Sequence, residues 1–162
     1  MYILFLIKKY IHNKYLDILM PKITILGNLG IIWIVMAVAL LLDKPYRIIG
    51  NYVLITLIIS TAIGEGIVKH LVRRFRPFNK INDVKLLIKK PLTYSFPSGH
   101  TLSSFAVASV LSVFFTEYAV IFIGIAFLIA LSRIYLYVHY PTDVIGGIIF
   151  GILCSKLIFI IL

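Results

Sequence analysis

Two histidines and one aspartate are the residues of this chain best suited to chemistry. His139 and Asp143 lie four residues apart on either side of Pro141, and His100 follows a Pro-Ser-Gly run. The sequence around them is apolar, and polar groups in such surroundings are costly and by default mark a functional site. An imidazole oriented by a carboxylate can act as a nucleophile, and a second histidine can transfer a proton. This set predicts nucleophilic catalysis with acid–base assistance.

The His139–Asp143 pair also has a purely structural interpretation. Proline favours the first turn of a helix, so Pro141 predicts that the last helix begins there, with Asp143 in its first turn. A carboxylate at that position is stabilised by the helix dipole. In the catalytic interpretation, Asp143 accepts a hydrogen bond from His139, which fixes the tautomer and leaves the other nitrogen free to attack. The spacing alone favours neither interpretation.

The run that contains His100 is typical of the start of a helix. Ser98 is suited to the N-cap, and Gly99 permits close backbone approach. The N-terminus of a helix presents free N–H groups and partial positive charge, which together attract anions. Ser98 is either a simple cap or part of an anion site. In the second case His100 is placed to donate a proton to a leaving oxygen.

Three basic residues near these motifs predict that the anion is a phosphate. Fixed cations stabilise the charge that develops in phosphoryl transfer, and the arginine fork matches phosphate geometry. These residues are Lys69, Arg76 and Arg133. The alternative is that each reaches towards lipid headgroups. We prefer that alternative for Arg73, Lys80, Lys85, Lys89 and Lys90, whereas Arg74 is assigned to neither group.

Glu65 precedes Lys69 by four residues, which is the favourable order for an ion pair on a helix. We predict that Glu65 positions Lys69 rather than acting directly in catalysis. Glu65 and Arg74 are therefore candidates for supporting roles.

The composition excludes an ordinary soluble domain. Of the 162 residues, 61% are hydrophobic and the mean hydropathy is +1.05, whereas soluble domains are about half apolar. The net charge is +10, but the basic residues flank apolar segments. Anionic headgroups and phosphates are therefore the expected partners, rather than nucleic acid. The single cysteine, Cys154, is expected to be a small buried hydrophobe.

The apolar segments predict an all-α, polytopic membrane helix bundle. A bilayer core of about 30 Å requires about 20 apolar residues per helix, and about five segments qualify, the third being the shortest. They are residues 23–42, 48–68, 101–118, 119–138 and 143–162. Residues 1–22 carry an apolar stripe at helical spacing, which predicts an amphipathic helix in the membrane interface. The chain is thus divided into this segment (1–22) and a membrane-embedded bundle (23–162).

Smaller signals predict how the bundle is connected and packed. Tight turns are expected at residues 43–45 and 116–118, and a short surface helix is expected over 84–90, before Pro91. Gly147 and Gly151 are four residues apart in the last span. Small residues at this spacing predict close helix packing.

The three motifs, considered jointly, resemble those of the type 2 phosphatidic acid phosphatase family of integral membrane lipid phosphatases. The family signature is Lys, six residues, Arg-Pro; then Pro-Ser-Gly-His; then Ser-Arg, five residues, His, three residues, Asp, and every position is matched in this order. The matching residues are Lys69 and Arg76-Pro77; Pro97-Ser98-Gly99-His100; and Ser132-Arg133, His139 and Asp143. The resemblance spans residues 24–151 and rests on three motifs together, which is far more specific than any one of them.

The resemblance implies a role for each matched residue. His139 would attack phosphorus to form a phosphohistidine, Asp143 would orient it, and His100 would protonate the leaving group and later activate water. The residues that would hold the phosphate are Lys69, Arg76, Ser98, Gly99 and Arg133. No metal or other cofactor is implied, and the sequence lacks the carboxylate clusters that magnesium sites use. The family is usually a six-helix bundle, whereas this sequence predicts about five spans and an interfacial helix.

The resemblance further implies a phosphatase that acts on a lipid phosphate or diphosphate in the bilayer, with no obligate protein partner evident. We expect undecaprenyl diphosphate as the substrate, giving the monophosphate carrier of cell-wall synthesis, because a short chain with few loops fits that role. Phosphatidylglycerol phosphate or phosphatidic acid is the alternative substrate. A non-enzymatic lipid-binding protein or transporter subunit is the alternative of a different class. The intact set of His100, His139 and Asp143 argues against it.

Two arguments predict opposite membrane orientations. All three motifs fall on one face of the predicted bundle, together with most of the 16 basic residues. The positive-inside rule places that face in the cytoplasm, whereas the family resemblance implies the outer face for bacterial members. We expect the extracytoplasmic face, because several of these charges are required to bind phosphate.

Overall fold

The computed structural model describes residues 2–80 and 86–162, and every regular element in this part of the chain is a helix. The helices are α1 (Tyr2–Tyr10), α2 (Lys14–Leu26), α3 (Ile31–Leu42), α4 (Arg47–Thr61), α5 (Lys69–Val72), α6 (Gly99–Phe114), α7 (Ala119–Tyr135) and α8 (Pro141–Ile161). Short 3₁₀ turns precede α3, α4 and α7, at Asn28–Gly30, Lys44–Tyr46 and Thr116–Tyr118. The last two turns confirm the predicted connections, and the all-α fold class is confirmed.

The N-terminal region contains two helices where the sequence predicts one amphipathic helix. After α1 ends, Asn13 Oδ1 accepts hydrogen bonds from the backbone N–H groups of Tyr15 (3.1 Å) and Leu16 (3.0 Å). This is an N-cap, and it starts a new helix. That helix, α2, continues past residue 22 to Leu26, so the predicted division of the chain falls inside it. An interfacial position for this region stays a prediction.

The first predicted span is interrupted between α2 and α3. Leu29 and Gly30 have φ angles of 51° and 70°, in the left-handed region that a right-handed helix cannot include. Gly30 adopts this φ without strain because it has no Cβ. The axes of the two helices differ by 48° in consequence. The bend lets α2 pack against α7 while α3 packs against α4.

The second predicted span reaches the first motif through an irregular helix. After α4, residues Ala62–Val68 form a π-helical stretch, and α5 begins at Lys69. Such stretches widen a helix locally and are frequent at functional sites. Arg73 has φ 49°, which ends α5 and directs the chain out of the helix. Residues 74–76 therefore leave the helix and enter the loop that leads to the second motif.

Helix α6 is the centre of the bundle and packs against α4, α7 and α8. Its residues 101–108 are all buried. Helix α8 approaches it closely because Gly151 has no side chain: a Cβ there would lie 2.6 Å from the carbonyl oxygen of Leu102. The packing role predicted for Gly147 and Gly151 is confirmed. This contact fixes the start of α6 relative to the start of α8, where the second and third motifs lie.

Within residues 2–80 and 86–162, three helical stretches are long and apolar enough to cross a membrane: Lys44–Asn79, Thr116–Tyr135 and Pro141–Ile161. The bent pair of α2 and α3 also qualifies if the two are taken as one span. Helix α6 is apolar but shorter. In the described part of the chain, these helices overlap the five apolar segments predicted from the sequence. How many of them cross the bilayer stays a prediction.

The surface helix predicted over residues 84–90 is not found where the structure describes this segment. Residues 86–90 are irregular, and Val84 and Lys85 lie outside the described residues. Leu86 and Ile88 instead pack on buried residues after α7, such as Leu136 and Val138. Their apolar side chains are therefore used to hold an irregular segment against the bundle.

Candidate active site

His139 lies in the tight turn between α7 and α8, and 1% of its surface is exposed. The carbonyl of Arg133 holds this turn by accepting hydrogen bonds from the N–H groups of Val138 and His139, each at 3.3 Å. Arg76 Nη1 lies 3.1 Å from His139 Nε2. Because a guanidinium can only donate, Nε2 is the acceptor and the neutral ring carries its proton on Nδ1. Nε2 therefore has the lone pair that a nucleophile needs.

Asp143 lies in the first turn of α8, as predicted, and is fully buried. Its Oδ2 is 3.6 Å from His139 Nδ1, which is longer than a hydrogen bond. The hydrogen bond predicted from the spacing is therefore replaced by a longer electrostatic contact between the ring N–H and the carboxylate. The physical reason is that other donors already hold both carboxylate oxygens.

Three donors hold the Asp143 carboxylate. The backbone N–H of Tyr140 donates to Oδ2 at 2.8 Å, and the hydroxyl of Ser95 donates to the same oxygen. Arg74 Nη1 donates to Oδ1 at 2.7 Å, and its guanidinium lies 4.1 Å from the centre of the Tyr140 ring. A buried carboxylate is tolerated when it is paired and hydrogen-bonded in this way. Arg74, a candidate for a supporting role from the sequence, is thus the ion-pair partner of Asp143.

Lys69 and Arg76 are both buried and share one acceptor. The hydroxyl oxygen of Thr93 accepts from Lys69 Nζ at 3.0 Å and from Arg76 Nη2 at 3.2 Å. Arg76 Nε also donates to the carbonyl of Thr93 at 2.7 Å, and Nη1 donates to the carbonyl of Val138 at 2.9 Å. The loop before the second motif therefore holds two cations of the first motif, and one of them, Arg76, lies beside His139 of the third.

Arg133 is the third buried cation, with 3% of its surface exposed. Its Nη1 donates to Thr24 Oγ1 at 2.6 Å. In the described chain, its buried Nε has no hydrogen-bond partner. An unpaired buried N–H of a charged group is costly, and a phosphate oxygen would satisfy it.

The second motif begins α6, as predicted, and Ser98 and His100 bond to different parts of the bundle. Ser98 occupies the N-cap position without a side-chain cap; its oxygen accepts from the hydroxyl of Thr101 at 2.8 Å. The N–H of Ser98 donates to the carbonyl of Asp143 at 3.0 Å, which joins the second motif to the third. His100 Nε2 donates to Asn28 Oδ1, with 2.8 Å between them. The helix start is therefore fixed from two sides.

Glu65 forms the ion pair predicted with Lys69, with 2.6 Å between Oε1 and Nζ. It also lies so close to Gly99 that a Cβ at that position would collide with the Glu65 carboxylate. The absence of a side chain at Gly99 thus leaves room for the carboxylate that pairs with Lys69.

A cavity of about 280 Å³ brings these groups together. Its wall includes two histidines, three cations and the start of α6: Glu65, Lys69, Arg76, Thr93, Gly99, His100, Arg133 and His139. It extends between the α2–α3 turn and α4, where Gly27, Leu29, Gly30, Ser60, Thr61 and Gly64 line it. Among the predicted site residues, Ser98, Asp143 and Arg74 do not line this cavity. Asp143 and Arg74 instead pair with each other, and Ser98 bonds to the backbone of Asp143.

The electrostatics of the site favour a neutral nucleophile. Burial lowers the pKa of His139 because it disfavours the charged imidazolium, and the cations Arg76 and Arg133 lower it further. Asp143 acts in the opposite direction but does not reverse the effect. His139 is therefore neutral at physiological pH, which is the form that can attack phosphorus.

No group of three or more His, Cys, Asp or Glu side chains comes together in a way that could hold a metal ion within residues 2–80 and 86–162. The carboxylates of the site are instead paired with cations, Glu65 with Lys69 and Asp143 with Arg74. A metal-free mechanism stays a prediction.

The site residues also contact polar side chains that the sequence did not identify, among them Thr24, Asn28, Thr93 and Ser95. Thr93 and Ser95 are two positions apart in the loop just before the second motif. Residues at this spacing lie on one side of an extended chain. Thr24 and Asn28 are polar residues four apart in an apolar segment. That spacing places them on one face of a helix and is the signal that could have identified them.

Comparison with known proteins gives a family match and similar structures. The sequence profile of the PAP2 superfamily matches residues 48–162. An undecaprenyl-diphosphatase of Sulfolobus acidocaldarius is 38% identical over 122 residues, which are 74% of this chain and 58% of that protein. The chain therefore spans little more than half the length of this curated relative.

Two solved structures are similar over most of this chain. LpxE of Aquifex aeolicus has a TM-score of 0.83 and 29% identity, over 97% of this chain and 92% of that one. A PAP2-type phosphatidylglycerolphosphate phosphatase of Bacillus subtilis has a TM-score of 0.72 and 26% identity, over 93% and 78%. The likeness thus extends over the whole bundle, whereas the family profile begins at Ile48 and does not include α2 or its turn.

Proposed function

This chain belongs to the PAP2 superfamily, and we propose that it is an integral membrane phosphatase that removes phosphate from a membrane lipid. One observation carries this proposal: two histidines and three cations from three separate motifs line the same cavity. The site thus contains a nucleophile, a proton donor and a phosphate-binding cluster. A nucleophile, an acid and fixed cations are groups that accelerate phosphoryl transfer.

In the first step, His139 Nε2 attacks phosphorus. A nitrogen–phosphorus bond forms and the bond from phosphorus to the leaving oxygen breaks, while His100 gives that oxygen a proton. The ring of His139 gains positive charge as the bond forms. The Asp143 carboxylate, 3.6 Å from Nδ1, stabilises that charge and keeps the ring in position.

In the second step, the phosphohistidine is hydrolysed. His100, now neutral, takes a proton from a water molecule, and the resulting hydroxide attacks phosphorus. The nitrogen–phosphorus bond breaks, inorganic phosphate leaves, and His139 returns to its neutral form. His100 is protonated again, so each group is restored after one turnover. Because burial and the nearby cations lower the pKa of His100, it is the bound phosphate anion that favours its acid form.

The cations bind the phosphate and stabilise the transition state. Arg76 contacts the nucleophile directly, and Arg133 lines the cavity and has a buried Nε without a hydrogen-bond partner in the described chain. Lys69 is held beside them by Thr93 and Glu65. Pre-oriented donors of this kind cost no reorganisation at the moment of reaction. In this proposal Ser98 and Gly99 contribute by fixing the start of α6, whose N-terminus favours an anion.

We favour undecaprenyl diphosphate as the substrate, with undecaprenyl phosphate as the product. The support is the similarity to the Sulfolobus acidocaldarius protein of that activity. Phosphatidylglycerol phosphate is the second candidate, supported by the structural likeness to the Bacillus subtilis phosphatase. Phosphatidic acid belongs to the same alternative, since its phosphate is also a monoester on a diacyl lipid.

The test is phosphate release by the purified protein in detergent from these three lipids, with and without a chelator. We expect activity that survives the chelator and is highest on undecaprenyl diphosphate. His139→Ala is expected to lower kcat by about 10³-fold or more. His70→Ala is the matched control, because His70 is exposed and lies outside the cavity wall.

Each part of the proposal has its own contrary result. Loss of activity on chelation would exclude the metal-free mechanism, and equal turnover of all three lipids would exclude the substrate preference. Absence of phosphate release from every lipid, by protein that still binds them, would favour a non-enzymatic lipid-binding function.

We propose that the cavity opens on the extracytoplasmic face of the cell membrane. The family resemblance supports this orientation. The positive-inside rule, applied to the clustered basic residues, predicts the opposite one. Lys89 is exposed and lies in the loop before the second motif, which follows the C-terminal end of α4 and α5. Lys44 is exposed and lies in the turn before the N-terminal end of α4. In intact cells, a membrane-impermeant maleimide should label Lys89→Cys and not Lys44→Cys. The opposite labelling would place the site in the cytoplasm; buried Cys154 should stay unlabelled in both.

A further inference from the structure

Two polar side chains of the N-terminal helix region contact two groups of the proposed active site. Thr24 Oγ1 accepts from Arg133 Nη1 at 2.6 Å, and Asn28 Oδ1 accepts from His100 Nε2, 2.8 Å away. The two residues are one helical turn apart. Both precede residue 48, where the match to the family profile begins.

The backbone around Asn28 is shaped to approach His100. A Cβ on Gly27 would lie 2.8 Å from His100 Cδ2 and 2.7 Å from Ile129 Cγ2, so the imidazole packs directly against the main chain. The left-handed residues Leu29 and Gly30 then turn the chain away into α3. This turn is one wall of the cavity, since Gly27, Leu29 and Gly30 line it.

The Asn28 contact determines which nitrogen of His100 is available for proton transfer. A carbonyl oxygen only accepts, so Nε2 must carry a proton in both ionisation states of the ring. The remaining nitrogen, Nδ1, is then protonated in the acid form and has a free lone pair in the neutral form. These are the two states that a group needs to protonate a leaving oxygen and later to activate water.

The Thr24 contact fixes Arg133 in a similar way. Thr24 is 2% exposed, and its oxygen receives Nη1 of a guanidinium that is itself buried. Arg133 lines the cavity, and with Nη1 held the plane of its guanidinium keeps one orientation there. A planar arginine fork loses less entropy on binding phosphate when its plane is set in advance.

We propose that Thr24 and Asn28 are positioning residues of the active site: Asn28 holds His100 with Nδ1 free for proton transfer, and Thr24 orients Arg133 for phosphate. This inference rests on the proposed function. It makes the bent α2–α3 segment a part of the catalytic machinery, in addition to the three motifs.

The test compares two variants at each position by phosphate release across pH. Asn28→Leu has a similar volume without the acceptor and should lower kcat by about 10- to 100-fold. Asn28→Asp keeps the acceptor and adds charge that favours the imidazolium. It should retain activity within about threefold, and the alkaline limb of its pH–rate profile should move to higher pH. The charged and titratable groups facing His100 are Arg133, His139, Lys69 and Arg76, all unchanged in these variants.

At the other position, Thr24→Val should raise KM about tenfold, the effect of one lost hydrogen bond to a charged group. Thr24→Ser should restore the wild-type KM. The control is Trp33→Phe, which removes the hydrogen bond between Trp33 Nε1 and Ser104 Oγ (3.0 Å), also made by the N-terminal region to α6. This variant should lose thermal stability while its kcat, KM and alkaline limb stay unchanged.

The inference is overturned if Asn28→Leu keeps the wild-type kcat and alkaline limb. It is also overturned if Asn28→Asp loses as much activity as Asn28→Leu without moving that limb, since this would indicate a general packing effect. If the wild-type protein releases no phosphate from any lipid, the proposed function fails instead. Proton–nitrogen NMR of the imidazoles then decides the contact: a proton on His100 Nε2 in wild type, with an altered signal in Asn28→Leu, supports it, and a proton on Nδ1 alone contradicts it.

Discussion

The guanidinium of Arg74 forms an ion pair with the buried carboxylate of Asp143, with 2.7 Å between Nη1 and Oδ1. Asp143 is fully buried, whereas the Arg74 side chain is 37% exposed. The carboxylate beside the proposed nucleophile is therefore held by a residue that lies at the surface, just after the helix that carries Lys69. Arg74 also receives support from Thr142, whose hydroxyl lies 2.7 Å from Nη1.

Replacing Arg74 by glutamine should weaken both stability and catalysis. The variant leaves Asp143 with only the donors from Ser95 and Tyr140. Because Arg74 is partly exposed, we expect a loss of about 1–2 kcal/mol in the free energy of unfolding, less than for a fully buried pair. We expect kcat to fall about tenfold, as the carboxylate orients His139 less well. Chemical denaturation and phosphate release measure the two effects.

Arg73→Gln is the matched control for that variant. Arg73 is exposed, and its Nε donates to the carbonyl of His70 rather than to any group of the site. Its replacement should leave kcat unchanged. Equal loss of activity in both variants would indicate a general effect of surface charge, and would contradict the role assigned to the Arg74–Asp143 pair.

Thr93 is expected to control phosphate affinity, because its hydroxyl oxygen accepts from both Lys69 and Arg76. Thr93→Val removes this shared acceptor, so no hydroxyl oxygen remains between Lys69 and Arg76 to offset the repulsion of their charges. We expect kcat/KM to fall about tenfold, since hydrogen bonds to charged groups contribute more than neutral ones. Thr93→Ser retains the oxygen and should behave like wild type. If valine and serine variants have the same kcat/KM, the bridge does not matter for binding.

Much of the site was predictable because its chemistry depends on residue type and spacing. His139 and Asp143 lie where the position of Pro141 predicted, and Glu65 pairs with Lys69 as their four-residue spacing indicated. The contacts that were missed come from residues far apart in sequence. Arg74 and Asp143 are separated by 69 positions and Asn28 and His100 by 72. No local pattern encodes such a pairing, because it depends on how the helices pack.

The fold was predictable to the level of helices but not of their irregularities. Apolar runs identified the bundle, and the turns at residues 44–46 and 116–118 were found where expected. The break at Gly27–Gly30 was not foreseen, because Leu29 adopts a left-handed φ that its residue type disfavours. Similarly, the π-helical stretch Ala62–Val68 carries no periodic signal of its own. Residues of both irregular stretches line the cavity.

Glu65→Gln tests whether Glu65 positions Lys69. The Glu65 side chain is 39% exposed and that of Lys69 is 3% exposed, so the variant leaves a buried ammonium without its carboxylate. After allowance for solvent screening, we expect about 1 kcal/mol of lost stability. We also expect KM to rise by about three- to tenfold, a partial loss of one charged hydrogen bond, with a smaller effect on kcat.

The control for this variant is Glu117→Gln, in the turn before α7 and far along the chain from the motifs. It should change neither parameter. If Glu65→Gln alters neither activity nor thermal stability, the positioning role is excluded. If it lowers kcat by several orders of magnitude with KM unchanged, Glu65 has a direct catalytic role instead.

The lowered pKa of His139 predicts a neutral ring well into the acid range. Burial and the nearby cations disfavour the imidazolium, so protonation should occur below the ordinary midpoint of about 6.5. Nitrogen NMR of the protein in detergent should show neutral His139 from pH 8 down to pH of about 5, with its signals assigned by their loss in His139→Ala. A protonation midpoint near the ordinary value would contradict the assigned environment.

The central claim is that His139 Nε2 becomes phosphorylated during turnover, and the most direct measurement is to trap that species. The protein is mixed with the lipid substrate, quenched in alkali, which preserves phosphohistidine, and the modified residue is located by mass spectrometry. We predict a phosphoryl group on His139 that forms and decays at least as fast as phosphate is released, and that is absent in His139→Ala. Steady phosphate release with no phosphorylated histidine, or with the phosphoryl group on His100, would contradict the account.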